Sequence, residues 1–163
     1  MKGSDVSLQH LQRALTMELT TVNTYLLQAA KLEDWGLDQL AERMQEEIEE
    51  EREHAKRFLD RILFLEGVAK VHQLDEIGQD DTLRAIFETQ LRMENEARDY
   101  YDLAARESRD AGDLGTFDLF RSILKDEEDH IDFVETQFEL IDLMGEQLYV
   151  SRQVSSTVHQ DDD

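Results

Sequence analysis

The chain has 163 residues, no proline, no cysteine, seven glycines and a formal net charge of −22. That length fits one domain with a substantial core. The missing cysteine excludes disulfides, thiolate catalysis and cysteine-held zinc or iron–sulfur groups, and the acidic balance excludes a nucleic-acid partner. No apolar run approaches the length of a membrane span, and the first residues lack the apolar core of a secretory signal, so a cytoplasmic protein is expected. The many acids read either as solvated helix faces or as a surface that gathers cations.

With both helix breakers scarce, long helices are expected. The first is predicted from Asp5 to Trp35, with an apolar stripe of Leu11, Ala14, Leu15, Leu19, Val22, Leu26 and Ala29. Gly36 is a stop signal. The second helix is predicted from Leu37 to Leu65, with Leu40, Met44, Ile48, Ala55, Phe58 and Ile62 inward. A longer segment, Glu66 to Asp81, follows, with Asp80 or Asp81 as N-cap of the third helix. That helix is predicted from Thr82 to Ala111 and carries Ile86, Phe87, Leu91, Ala97 and Ala104. A short connection over 111–115 leads to the fourth, Thr116 to Met144, with Phe120, Ile123, Ile131, Val134 and Ile141 inward. One short fifth helix is expected from Glu146 to Arg152. Two hairpins joined by one long crossover make an all-α, ferritin-like four-helix bundle. The domain is assigned to 1–152, and the polar stretch 153–163 is expected to be disordered.

The chain repeats itself at an offset of 76 residues. Glu51-x-x-His54 matches Glu127-x-x-His130, Glu18 matches Glu94, Tyr25 matches Tyr101, and Gly36 matches Gly112. Residues three apart share a helix face, so each Glu-x-x-His pair presents two ligands together. All four glutamates fall on core stripes, where unpaired carboxylates would be very costly. Two divalent cations would balance them. Four carboxylates with two imidazoles suit a two-iron or two-manganese site, whereas calcium would want more oxygens and no imidazole. Tyr25 and Tyr101, two turns beyond Glu18 and Glu94, are placed to hydrogen-bond a carboxylate or to donate an electron. His10, His72 and His159 have no such partner and read as surface residues.

These residues resemble the bacterioferritins over nearly the whole chain. The matching stretches include Asn23-Thr24-Tyr25, Asp34-Trp35-Gly36-Leu37, Glu51-Arg52-Glu53-His54-Ala55, Arg61-Ile62-Leu63-Phe64-Leu65-Glu66-Gly67 and Asp126-Glu127-Glu128-Asp129-His130. The resemblance implies a hollow cage of twenty-four subunits that oxidises Fe(II) with O2 or H2O2 and stores ferric mineral, with two iron ions per subunit. Glu18 and Glu94 would be terminal ligands, Glu51 and Glu127 bridges, and His54 and His130 caps. Tyr25 matches the family's tyrosine near the site. Glu46 and Glu50 match positions that relay iron inward.

One position departs from the family. Where bacterioferritins place the methionine that holds a haem between two subunits, this chain has Arg52, with Glu49 and Gln45 nearby. A homo-oligomer is therefore expected to bind little or no haem, and a mixed cage with a haem-binding bacterioferritin subunit is the alternative. A ferredoxin partner for iron release is a family expectation tied to haem. The competing readings are a rubrerythrin-like peroxidase or oxygenase on the same bundle, a DNA-protecting mini-ferritin and a purely structural bundle. The first lacks its Cys-x-x-Cys module here, and the second would not need the in-chain pair of motifs.

Overall fold

The structure, a computed structural model, describes residues 2–155. The elements are α1 (Asp5–Asp34), α2 (Asp38–Phe64), α3 (Leu83–Asp110), α4 (Leu114–Met144) and the short α5 (Glu146–Ser151). No strand occurs among the described residues, and no helix is long and apolar enough to cross a membrane. α1 packs on α2 and α3 on α4 as two hairpins, with α1 also against α3 and α2 against α4. The α1/α3 face and the α2/α4 face are therefore opposite sides of the bundle.

The two hairpin turns are built alike. Gly36 and Gly112 both take left-handed backbone, φ 75° and 81°. Leu37 N–H donates to Leu32 and Asp113 N–H to Ser108, each at 2.9 Å, closing the last carbonyls of the helix. After the second turn, the Asp113 side chain accepts from Thr116 N–H at 3.0 Å, so α4 starts at Leu114 rather than Thr116. Gly115 is helical, and its bare Cα leaves room for the Arg61 guanidinium: a Cβ there would lie 2.6 Å from Nη2.

The crossover climbs the bundle along α1. Its start is fixed where Gly3 N–H meets Leu65 O at 3.0 Å, and its end where Lys31 reaches Asp81 at 2.8 Å. Arg13–Asp75 and Gln12–Lys70 tie it down between. The N-cap of α3 is Thr82, which accepts from Ala85 N–H at 3.1 Å, not Asp80 or Asp81. Asp80 is turned by a left-handed φ of 45° toward Gln28 and Thr89, and Asp81 is drawn to Lys31.

The core consists of two apolar clusters. One gathers Leu32, Met44, Ile48, Ile86, Phe87 and Tyr149; the other gathers Leu11, Leu15, Phe58, Ile62, Phe120 and Ile123. The predicted α1 stripe is only partly buried. Leu19 and Val22 are half-buried and Leu26 is 55 % exposed. The inward face of α1 is more polar than its periodicity suggests, because Glu18, Thr21 and Gln28 find partners inside or on their own helix, as with Gln28 and Gln90 at 2.9 Å. Beyond α5, Gln153 O accepts from Gln39 N–H, and Ser155 donates to Asp38. Residues 156–163, most of the predicted tail and His159, lie outside the described residues.

Candidate metal centre

Between the two apolar clusters lies one polar layer. Its side chains come from the middle turns of all four long helices: Glu18 from α1, Glu51 and His54 from α2, Glu94 from α3, and Glu127 and His130 from α4. All six are buried. The 76-residue offset thus appears in space as two halves facing each other across the bundle.

Ligand atoms of Glu18, Glu51, His54 and Glu127 lie within 4.8 Å of one another, and so do those of Glu51, Glu94, Glu127 and His130. The two groups share Glu51 and Glu127. Each imidazole turns Nδ1 inward: His54 Nδ1 is 3.1 Å from Glu51 and 3.4 Å from Glu127, and His130 Nδ1 is 3.1 Å from Glu51 and 3.7 Å from Glu127. Each turns Nε2 outward to an acid, Asp126 at 3.3 Å for His54 and Glu50 at 2.9 Å for His130. Asp126 and Glu50 are themselves 76 residues apart.

Burial raises the carboxyls of Glu18 and Glu127 well above the usual range, helped by the charge of neighbouring glutamates. Burial also opposes ionisation of Glu51, but the His130 and His54 imidazoles facing it outweigh that and hold its carboxyl far below. Burial works against a charged His54 too, yet Glu51 and Glu18 lift it to about 9. His130 is lifted further by Glu127, Glu47 and Glu51 against the same burial. Without cations, protons supply the compensating charge. Glu51 Oε1, Glu127 Oε1 and His130 Nδ1 are buried and make no hydrogen bond. Converging lone pairs of this kind fit cation ligation. The donor set of oxygens with two imidazoles suits iron or manganese.

The tyrosines sit above and below the layer. Tyr25 donates to Glu94 from one apolar cluster, and Tyr101 donates to Glu18 at 2.6 Å from the other. A cleft of about 420 Å³ opens the layer on the α2/α4 face, lined by four acids, Glu50, Glu53, Asp126 and Asp129, with Arg43, Arg57 and both histidines.

Of the two residues assigned to an iron relay, Glu50 is at this mouth, whereas Glu46 is exposed and paired with Arg43 at 2.9 Å. Sequence reasoning missed Glu47. It is 5 % exposed, ion-paired with Arg43 and 2.8 Å from His130 Nε2. Its place one turn before Glu51, on the stripe of Met44 and Ile48, is the signal that would have found it. His10 is also not a free surface residue: its side chain is 12 % exposed and held by Tyr100 and Glu107, while His72 is exposed as expected.

The comparisons agree with this architecture. The ferritin-like domain family matches residues 8–144. A bacterioferritin of Mycolicibacterium paratuberculosis is 39% identical over 155 residues, covering 95% of this chain and 98% of the relative. A bacterioferritin of Rhodobacter capsulatus is 37% identical over 147 residues, 90% of this chain and 91% of the relative. The solved structure of a Mycobacterium tuberculosis bacterioferritin superposes with a TM-score of 0.93 at 35% identity, covering 95% of this chain and 98% of that one. The chain belongs to the ferritin-like family and, within it, to the bacterioferritins.

Proposed function

We propose that this chain is a ferroxidase subunit of an iron store. It oxidises Fe(II) to Fe(III) at the carboxylate–imidazole layer, using O2 or H2O2, and the ferric product is kept as mineral inside a cage of twenty-four copies. The observation that carries this reading is the pair of overlapping ligand groups, buried in one layer and sharing Glu51 and Glu127. Iron is the substrate and cargo. Two Fe(II) per subunit would be bridged by the shared glutamates, with Glu18 and His54 completing one position and Glu94 and His130 the other. Held side by side, the two ions supply two electrons together, which avoids releasing a one-electron-reduced oxygen species.

The chain's own residues do the rest. Glu50, Glu53, Asp126 and Asp129 draw the cation into the mouth. The buried layer excludes bulk water, and Tyr25 and Tyr101 orient the outer carboxylates. Arg52, ion-paired with Glu49 at 3.0 Å, stands where an apolar methionine is expected, so a cage of this chain alone carries little or no haem. A mixed cage with a haem-binding subunit, and a ferredoxin that acts through it, belong to the same reading.

The test is an anaerobic Fe(II) titration followed by O2. A break at about two irons per chain and a fast ferric absorbance phase are expected. Oxidation no faster than in buffer would overturn the proposal. Particle size in solution separates a storage cage from a rubrerythrin-like redox enzyme.

A further inference from the structure

Tyr101 does more than brace Glu18. Its fully buried ring meets the neighbouring Tyr100 edge to face, with centroids 6.4 Å apart at 69°. The Tyr100 hydroxyl lies 2.8 Å from His10 Nδ1, and His10 Nε2 lies 2.8 Å from Glu107. A carboxylate only accepts, so Nε2 carries the ring proton and Nδ1 accepts from Tyr100. The Glu107 side chain is 50% exposed. A continuous line therefore runs from a buried carboxylate of the centre to solvent, through two phenols.

Each phenol hydrogen-bonds an acceptor for its proton: a Glu18 oxygen for Tyr101 and His10 Nδ1 for Tyr100. A phenol gives up an electron readily only if its proton can leave at the same time, so these partners are what make the two rings a conducting pair. The other half of the molecule lacks the device. Tyr25 donates to Glu94 as Tyr101 does to Glu18, but the position matching Tyr100 is Thr24, whose hydroxyl bonds back to Thr20 O at 2.8 Å. No ring among the described residues touches Tyr25. The line leaves between α1 and α3, on the face opposite the acidic mouth.

We infer that Tyr101, Tyr100 and His10 form a one-electron relay that connects the carboxylate layer to the α1/α3 surface. The inference rests on the oxidation reading above. When O2 or H2O2 is reduced in the layer, Tyr101 supplies one electron and passes its proton to Glu18. Tyr100 then gives an electron to the Tyr101 radical and its proton to His10 Nδ1, and Tyr101 recovers its proton from Glu18. A further Fe(II) ion in solution reduces the Tyr100 radical, which takes its proton back from His10. The sum is one Fe(II) oxidised outside, one electron delivered inside and no net proton. A simple brace between α1 and α3 would hold no radical.

Two arms test the relay on the whole protein by electron paramagnetic resonance. In the first, iron-free protein is oxidised with photogenerated ruthenium(III) tris-bipyridine and frozen. The principal radical is expected on Tyr100, lost in Tyr100→Phe and weakened in His10→Phe. A principal radical elsewhere, or an unchanged signal in Tyr100→Phe, overturns the relay. In the second arm, Fe(II)-loaded Tyr25→Phe protein is mixed with H2O2. The Tyr100 radical is expected again, and adding Tyr101→Phe should remove it with the helical circular dichroism intact. An unchanged radical in that double variant overturns the relay even where the ferric absorbance phase is normal. A missing ferric phase in the unsubstituted protein counts against the oxidation reading instead, and the iron-free arm still decides whether Tyr100 is the outer terminus.

Discussion

Glu47 Oε2 lies 2.8 Å from His130 Nε2, on the ring edge turned away from Glu51. Arg43 holds the other Glu47 oxygen and stacks its guanidinium over Phe133 at 4.9 Å. A carboxylate behind an imidazole fixes the ring's orientation and makes it a stronger ligand. Glu47→Gln keeps the volume and removes the charge. It should weaken Fe(II) binding at the His130 position by about 10- to 100-fold, the range for such supporting partners. Anaerobic titration checks this, and an unchanged isotherm would remove Glu47 from the centre.

In the proposed function, protons and iron compete for the same atoms. With His54 at about 9, its imidazole is charged at neutral pH in the iron-free protein. The raised value means that its contribution to stability is complete below its unfolded pKa near 6.5 and is lost as pH rises through about 9. A ligating imidazole must be neutral, so iron binding expels the proton. Fe(II) affinity should therefore rise between pH 6.5 and 9, with at least one proton released per imidazole. Calorimetry in buffers of differing ionisation enthalpy measures that release, and a pH-independent affinity would contradict it.

Glu94→Ala and His130→Ala each remove one ligand from the same half of the layer. Both should abolish the fast ferric phase in stopped-flow absorbance while the helical content and particle size persist. Normal rates in both variants would mean that oxidation happens elsewhere.

Arg52 and Glu49 are both exposed and pair three residues apart on α2. An apolar porphyrin has little to gain against them. Protein prepared with haem in excess should show no bis-methionine haem absorption, and a strong signature of that kind would refute the assignment.

Arg61 is held by Asp113 at 2.6 Å and Thr116 at 3.0 Å, and it leans on the bare Cα of Gly115. Gly115→Ala puts a methyl into that contact with a side chain that is already tethered. The expected cost is about 1–3 kcal/mol, the usual penalty for overpacking, seen as a lower melting temperature.

The sequence made the helices and the six candidate ligands legible for one reason: both are periodic. Core spacing of three and four marks the stripes, and the ligands interrupt those stripes at matched places in two halves. Glu47 obeys the same period, but in a chain this acidic a single extra glutamate does not stand out. The Tyr100–His10 bond joins residues 90 apart with no repeat behind it, so only the packing of α1 against α3 reveals it. Leu26 misleads in the opposite sense. Its spacing is right for the stripe, but the helix turns its threonines and Gln28 inward.

The matched halves also bear on ancestry. Each hairpin brings one glutamate and one Glu-x-x-His, so neither alone can hold a pair of cations, but two copies of either would supply the whole set. A short gene whose product self-associated could have made this centre before duplication and fusion joined the copies. Fusion then frees each half to drift. The layer's own residues still match, down to Glu50 and Asp126. The additions do not: Glu47 stands opposite Ile123, Tyr100 opposite Thr24, His10 opposite Ile86 and Glu107 opposite Lys31. What is shared gives the layer its two-fold likeness, and what is unmatched is where a single chain could acquire a direction.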